Sequence, residues 1–239
     1  MYTGNVGRHM PVCGGRCLVA RTTEGGGDMS SISFWMIAAP TGLWCGFAAP
    51  TLWSDVSPVL VILGLVTCAA SIVFLFAARF TEPGLLPTVD VDGTKTAAGH
   101  QKKLIILDGQ RLEYADKRAK WVRETGNVVE KFDHFCPWVG NVVGKRNYRS
   151  FYFFISFTNL HAVYILTTSV VVVSERLDEY GSVDEFAAEK PHIVLVLAGL
   201  CGYVAIILCC VGGLWSFHNG TLSTPPGSEH TLDRLTTAG

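Results

Sequence analysis

Four long apolar segments without a single charged side chain constrain this chain more than any other feature of its sequence. They run from Phe34 to Trp53, from Pro58 to Ala78, from Phe151 to Val173 and from Ile193 to Phe217. A helix needs about 20 mostly apolar residues to cross a bilayer, and each segment is long enough. A soluble bundle of buried helices is the alternative, but an uncharged run as long as the fourth segment would leave no face for water. The sequence therefore predicts an α-helical integral membrane protein with four transmembrane helices.

The overall composition agrees with this fold class. Apolar residues make up 49% of the chain and charged residues 16%, against about 25% charged residues in an average soluble domain. The net charge is −1 and no nucleic-acid-binding module is visible, so we expect no nucleic-acid partner. The eight cysteines contain no Cys-x-x-Cys pair, which argues against a disulfide framework and against a classical zinc module.

The distribution of basic residues predicts the orientation in the membrane. Of the 19 lysines and arginines, 13 lie between residues 79 and 150, and basic loops remain in the cytosol. Both termini are then cytosolic, in a multi-pass protein of the endomembranes (Golgi or ER) or of the plasma membrane. The predicted divisions are a cytosolic tail (1–29), helices 1 and 2 (30–80), a cytosolic domain (81–150), helices 3 and 4 (151–217) and a second cytosolic tail (218–239).

The predicted cytosolic domain contains turn signals and short strands. Glu82-Pro83-Gly84 indicates a helix stop followed by a turn. Residues 104–114 predict one hairpin around Asp108-Gly109, and residues 120–131 predict a second around Gly126-Asn127. The Gly-rich segment 1–29 lacks the apolar core of a secretory signal, and we expect it to be disordered.

Asp133, His134 and Cys136 provide the parts of an activated thiol within four positions. A cysteine nucleophile needs a base, and the base needs an acid that orients it. A free thiol has a pKa of roughly 8.5, and a neighbouring histidine is the usual means of increasing its thiolate fraction at neutral pH. On residue types alone, an ordinary loop cysteine with a histidine nearby by chance is the alternative. The surrounding residues decide between the two.

A wider set of positions accompanies this motif. It includes Pro137, Trp138, Asn141, Gly144, Asn147 and Tyr148, together with Glu82-Pro83-Gly84 after the second apolar segment. In this order, between two pairs of membrane spans, these residues resemble the Asp-His-His-Cys (DHHC) protein S-acyltransferases. The resemblance implies a transferase of the palmitoyltransferase type with an Asp-His-Phe-Cys motif.

The resemblance implies a role for each residue of the motif. Cys136 attacks the thioester of a long-chain acyl-CoA and carries the acyl group until a cysteine of a membrane-associated protein accepts it. His134 is the general base, and Asp133 fixes its tautomer. Palmitoyl-CoA is then a co-substrate rather than a bound cofactor. The expected partners are acyl-CoA, the lipid bilayer and membrane-associated proteins with cytosolic cysteines.

Four further residues are candidates for binding acyl-CoA. Trp138 is similar to the family residue that lines the acyl cavity, and an aromatic anchor at the membrane interface is the alternative. Lys145, Arg146 and Arg149 are candidate contacts for the CoA phosphates. Ordinary positive charge on the cytosolic side is the alternative for each of them.

The metal ligands of the DHHC family are missing. In that family two zinc ions, held by Cys and His, shape the motif loop. The corresponding positions here are Asp108, Arg111, Trp121, Val122, Thr125, Val128, Phe135 and Val142. We therefore expect no structural zinc, and we expect a cluster of the five apolar residues in its place, which Val128→Asp would disrupt.

Two other functions remain open on the sequence. A catalytically inactive relative would bind partners as a membrane scaffold. An unrelated four-span channel or transporter subunit is disfavoured, because its spans would be expected to contain charged or broken-helix sites. His161 and Asn159 are polar groups within the third span, and we expect them to form hydrogen bonds to other helices.

Overall fold

The computed structural model describes residues 9–12, 17–20, 29–86, 88–95, 101–107, 110–113, 119–122 and 127–223. The helices are α1 (Ser30–Phe47), α2 (Ala49–Val56), α3 (Pro58–Phe80), α4 (Tyr148–Tyr180), α5 (Val183–Glu189) and α6 (Pro191–Ser223). Helices α3, α4 and α6 are each long and apolar enough to cross a membrane, and the bent pair α1–α2 raises the number of candidate spans from three to four. The prediction of a mostly helical protein with several membrane spans is confirmed at this level.

The first predicted span is bent rather than straight. Helices α1 and α2 meet at an angle of 51°, and Pro50 lies in the first turn of α2. A proline lacks the N–H of a helical hydrogen bond and its ring collides with the preceding turn, which accounts for a break at this point. Pro40 lies inside α1 without ending it.

The segment between the last two spans is helical where the sequence indicated a connection. Helix α4 continues past Val173 to Tyr180, and α5 follows after two residues. The side chain of Ser182 accepts a hydrogen bond from Glu185 N at 3.2 Å, and Asp184 and Glu185 lie in the first turn of α5. This is a favourable helix N-terminus because the serine caps a backbone donor and the acids face the positive end of the helix dipole.

Short antiparallel strands make up the rest of the described chain. They are β1 (His9–Val12), β2 (Cys17–Ala20), β3 (Leu85–Leu86), β4 (Thr88–Lys95), β5 (Gln101–Leu107), β6 (Gln110–Glu113), β7 (Lys120–Val122), β8 (Asn127–Val129), β9 (His134–Cys136) and β10 (Asn141–Val143). The sheets have the orders β1-β2, β9-β10, β3-β8-β7 and β4-β5-β6.

Both predicted hairpins are present, with one change of register. Leu107 pairs with Gln110, so β5 and β6 flank the predicted Asp108-Gly109 turn, whose residues lie outside the described chain. In the second hairpin Val122 pairs with Asn127. Asn127 therefore begins β8 instead of forming the turn, and the connection 123–126 lies outside the described residues. The tail that was expected to be disordered contains the paired strands β1 and β2.

The chain divides into two compact units. One contains residues 1–38 and 72–154, and the other contains residues 39–71 and 155–239. The first unit therefore combines the strands with the beginning of α1, the end of α3 and the beginning of α4. The candidate site lies entirely within this first unit.

The second unit has an apolar core with a small polar network. His161 lies 2.9 Å from Thr41 Oγ1 through Nε2 and 2.9 Å from Thr67 Oγ1 through Nδ1. The prediction that His161 bonds to other helices is confirmed, because these threonines lie on α1 and α3. Asn159 differs, since its Nδ2 donates to Ile155 O of its own helix at 2.9 Å.

Gly64 allows α3 to approach the buried indole of Trp44 in this unit. A Cβ at Gly64 would lie 2.5 Å from Trp44 Cη2, and the Trp44 side chain has no exposed surface. Trp44 cannot easily move because its Nε1 donates to Thr168 Oγ1 at 3.0 Å. A side chain at position 64 would therefore force this indole out of its place.

We expect Gly64→Ala to destabilise the protein by about 1–3 kcal/mol, the usual cost of overpacking a core. Thermal unfolding in detergent measures the change. Gly42→Ala is the matched control, because a Cβ at Gly42 meets nothing within 4 Å and alanine has the higher helix propensity. Equal unfolding temperatures for the two variants would contradict the packing argument.

Candidate active site

Strands β9 and β10 form a short hairpin that carries the Asp-His-Phe-Cys motif. Cys136 pairs with Asn141, and residues 137–140 form the loop between them. Gly140 N donates to Cys136 O at 2.9 Å and to Pro137 O at 3.0 Å, and Gly140 has a φ of 69°. This left-handed conformation is readily available to glycine. The loop places Cys136 at the end of β9, where the residue is only 5% exposed.

Two asparagine side chains join this hairpin to the end of α3. Asn141 Nδ2 donates to Arg79 O at 2.7 Å and to Thr81 O at 3.3 Å. Asn147 Nδ2 donates to Ala78 O at 3.1 Å and to Val142 O at 2.7 Å. The last carbonyls of a helix have no partner within the helix. The amides therefore satisfy carbonyls at the end of α3 and fix the hairpin against it.

Gly144 permits a close approach between the end of β10 and the turn that follows α3. A Cβ at Gly144 would lie 2.5 Å from Pro83 O and 2.6 Å from Val129 Cγ1. Gly144 N donates to Asn147 Oδ1 at 2.8 Å. On the other side of the contact, Glu82 Oε1 accepts from Gly84 N at 2.8 Å and also from Leu85 N. The predicted Glu82-Pro83-Gly84 turn is thus confirmed and borders the motif.

Asp133, His134 and Cys136 are brought together by the hairpin. His134 Nδ1 lies 2.7 Å from Asp133 Oδ2, and Asp133 N donates to Val143 O at 3.0 Å. The His134 ring meets the Phe151 ring edge to face, with 5.2 Å between the ring centres. The carboxylate and the aromatic ring together define the orientation of the imidazole.

The electrostatics of the site favour a protonated His134. Burial of the ring is the largest single influence and lowers its pKa, but the hydrogen bonds to Asp133 and Cys136 and the charges of these groups outweigh burial. The pKa of His134 rises from 6.5 to about 9. At neutral pH the imidazole is therefore charged, and it lies between a carboxylate and a thiol.

Comparisons with known proteins agree with this geometry. The family model for the DHHC palmitoyltransferases matches residues 111–224. This part of the chain is similar to the DHHC palmitoyltransferases. The matched residues include the hairpin that carries Cys136, and candidate membrane helices precede and follow this hairpin along the chain, as the sequence indicated.

Curated relatives are similar over most of this chain. Protein S-acyltransferase 8 of Arabidopsis thaliana is 29% identical over 84% of this chain and 55% of its own length. Palmitoyltransferase ZDHHC14 of Mus musculus is 27% identical over 91% of this chain and 48% of its own length. Palmitoyltransferase ZDHHC9 of Pongo abelii is 29% identical over 89% of this chain and 63% of its own length. The chain thus spans about half the length of the first two of these relatives.

The basic residues near the DHHC motif are partly engaged in ion pairs. Lys145 pairs with Glu130, and Arg146 pairs with Glu82. Arg149 is exposed in the first turn of α4. Exposed ion pairs contribute little to stability and exchange readily with other charges. The predicted contacts of these three residues with CoA phosphates remain predictions, as does the role of Trp138, which is 47% exposed.

The positions that hold zinc in the DHHC family are partly occupied by an apolar cluster. Leu85, Val122, Val129 and Val142 are buried together, and Phe132 and Phe135 pack against them. In the described part of the chain, no three or more His, Cys, Asp or Glu side chains form a group suited to a metal ion. Zinc needs thiolate or imidazole ligands, so the side chains of Val122, Phe135 and Val142 do not fit a zinc site.

The cluster differs from the predicted one because it lacks Val128 and includes Val129, Leu85 and Phe132. Val129 is fully buried, whereas Val128 is only partly buried. Successive side chains of a strand point to opposite faces, so only one of the two valines can point into the cluster. Position 128, chosen from the zinc-ligand spacing, was the wrong member of the pair. Leu85 and Phe132 were missed because they lie outside that spacing, and the side chain of Trp121 lies outside the described residues.

We expect Val129→Asp to unfold this part of the protein, since an unpaired carboxylate in an apolar cluster costs several kcal/mol. Val128→Asp is the matched control and should have a much smaller effect. Limited proteolysis within residues 119–147 measures the difference. Faster cleavage of the Val128 variant than of the Val129 variant would contradict the assignment of the cluster.

The raised pKa of His134 predicts a titration that depends on Asp133. In the wild-type protein the His134 proton should be lost near pH 9. The stabilisation from this proton is present below pH 6.5 and is lost as the pH rises through about 9. Asp133→Asn should lower the midpoint, because burial lowers the pKa of His134 and the opposing negative charge of Asp133 would be absent.

The NMR signal of labelled histidine, assigned with His134→Gln, measures this titration. Asp184→Asn removes an exposed carboxylate in α5 and should leave the midpoint unchanged. An unchanged midpoint in Asp133→Asn would show that the carboxylate does not hold the proton on His134.

Proposed function

We propose that this protein is a protein-cysteine S-palmitoyltransferase. It moves a long-chain acyl group from acyl-CoA, through a thioester on Cys136, to cysteines of membrane-associated proteins. The observation that carries this proposal is the arrangement of Asp133, His134 and Cys136 on one hairpin, with the carboxylate 2.7 Å from the imidazole and the imidazole bonded to the thiol. This is the set of groups that covalent catalysis by cysteine requires.

The first step forms the acyl-enzyme. His134 is already protonated at neutral pH, so Cys136 reacts as a thiolate beside an imidazolium that Asp133 orients. The thiolate attacks the carbonyl carbon of the acyl-CoA thioester, a bond forms between Cys136 Sγ and that carbon, and the bond from the carbon to the CoA sulfur breaks. The CoA thiolate takes the proton from His134 and leaves as free CoA.

The second step reverses the roles of the two thiols. The neutral His134 accepts the proton of the substrate cysteine, whose thiolate attacks the carbonyl carbon on Cys136. The bond to Cys136 Sγ breaks, so the site again holds a thiolate and an imidazolium. One thioester is exchanged for another in each step, so the reaction is nearly isoenergetic and depends mainly on placement of the groups.

The surroundings of Cys136 suit a substrate with an apolar chain and a charged head. The first unit of the fold places the motif hairpin against the ends of helices: Asn141 contacts the end of α3, and His134 contacts Phe151 of α4. A thioester at Cys136 would therefore lie where apolar helices meet the basic segment. In this proposal Trp138 contacts the acyl chain, and Lys145, Arg146 and Arg149 contact the CoA phosphates.

The distribution of basic residues also indicates on which side of the membrane the site lies. The site faces the cytosol because the basic residues cluster around it, and both termini then lie on the cytosolic side of an ER, Golgi or plasma membrane. No step of the mechanism uses a metal ion.

Self-acylation tests the proposal. Purified protein in detergent is incubated with labelled palmitoyl-CoA, and hydroxylamine-sensitive label is measured on Cys136. Cys136→Ser should abolish the label, and His134→Ala should slow its appearance about 10²–10⁴-fold, the usual contribution of a general base. Cys209→Ser, in the exposed part of α6, is the control and should be labelled at the wild-type rate. A folded wild-type protein without label would instead support the inactive scaffold.

A further inference from the structure

The loop between β9 and β10 is held by hydrogen bonds from two membrane helices. Three successive loop carbonyls accept bonds from outside the hairpin: Pro137 O from Met29 N at 3.0 Å, Trp138 O from Ser33 Oγ at 2.7 Å and Val139 O from Arg79 Nη1 at 3.3 Å. Met29 directly precedes α1, Ser33 lies in the first turn of α1, and Arg79 lies in the last turn of α3. The loop that follows Cys136 thus depends on residues that the motif does not contain.

We propose that Ser33 is a positioning residue for the reaction at Cys136. Its hydroxyl holds the Trp138 carbonyl, and through it the conformation of the loop that places the Cys136 thiol and the Trp138 side chain. This inference rests on the proposed function, which it deepens by adding a residue of α1 to the machinery of acyl transfer.

The hairpin alone cannot determine the loop geometry. Its strands have three residues each, and an isolated two-stranded hairpin is marginally stable at best in water. The hydrogen bond from Ser33 Oγ to Trp138 O is partly buried, and a carbonyl that is shielded from water needs a donor. When the Ser33 hydroxyl is removed, the Trp138 carbonyl loses this hydrogen-bond donor, and the loop shifts to a conformation in which the carbonyl has another donor.

A shift of the loop matters for chemistry because the nucleophile and a candidate contact of the acyl chain are attached to it. Cys136 precedes the loop directly, and Trp138 is its second residue. A misplacement of about 1 Å can slow a reaction by 10²-fold even when no reacting group is changed. Ser33 therefore affects the rate without contacting a substrate atom.

Ser33 is the cleanest of the three donors to test. Met29 donates through its backbone, and Arg79 also donates to Ser30 and lies over the Phe80 ring at 5.6 Å. Ser33 is only 6% exposed. Its hydroxyl also approaches Met29 O at 3.3 Å, but that carbonyl already accepts from Ser33 N at 2.9 Å. Ser33→Ala hence removes mainly the bond to the loop.

The test is the single-turnover rate of acyl-enzyme formation on Cys136 over a range of palmitoyl-CoA concentrations. Ser33→Ala should lower the maximal rate about 10-fold or more, while the palmitoyl-CoA concentration at half-maximal rate changes less than about twofold. Ser33→Thr retains the hydroxyl and should restore the rate to within about threefold of wild type. Ser31→Ala, an exposed serine of the same helix turn, is the matched control and should be as fast as wild type.

Two results would overturn the inference. A wild-type rate in Ser33→Ala would show that the hydroxyl is not needed. An equally slow Ser33→Thr would show that packing, rather than the hydrogen bond, was lost.

A second readout separates this inference from the proposed function. If the wild-type protein forms no acyl-enzyme, the proposed function fails, and amide hydrogen exchange of residues 138–144 then tests the loop by itself. Faster exchange in Ser33→Ala than in Ser31→Ala would establish that Ser33 holds the loop. Equal exchange in the two variants would refute it.

Discussion

The end of α3 is the point on which the candidate site depends. A helix that leaves a membrane exposes carbonyls with no partner inside the helix, and here the Asn141 and Asn147 side chains donate to the carbonyls of residues 78, 79 and 81. Asn141 is the first residue of β10, and Asn147 lies four residues after the end of this strand. The same hydrogen bonds therefore satisfy the carbonyls at the end of α3 and orient the motif hairpin. Gly144 allows this arrangement because it leaves room for Pro83 O.

The charge state of His134 follows from this placement. The hairpin holds Asp133 and Cys136 on either side of the ring, and their hydrogen bonds and charges outweigh the effect of burial on its pKa. A histidine that is already protonated in the resting enzyme differs from a neutral histidine, which can accept a proton at once. It provides a positive charge beside the thiol from the start, and its base function begins only when the CoA thiolate has taken that proton.

The apolar cluster around Val129 stabilises the motif hairpin through buried aliphatic side chains, where the DHHC proteins use structural zinc. Structural zinc supplies roughly 10–16 kcal/mol of apparent binding free energy in small finger peptides, whereas a fully buried valine or leucine contributes about 1.5–3 kcal/mol. Four buried aliphatic side chains cannot match two metal ions. The bonds from α1 and α3 to the hairpin supply further constraints, which is why residues outside the motif matter in this protein.

The sequence by itself indicated the candidate membrane spans, the hairpins and the similarity to the DHHC palmitoyltransferases, because apolar runs, turn residues and a motif are local patterns. It also identified Asp133, His134 and Cys136 as a group. Only the tertiary structure decided that Val129 rather than Val128 faces the cluster, that the first span bends near Pro50, and that Ser33 contacts the loop at Trp138. Which face of a short strand is buried depends on the neighbours that the strand meets in the fold. A hydrogen bond between residues 105 positions apart leaves no trace in the local sequence.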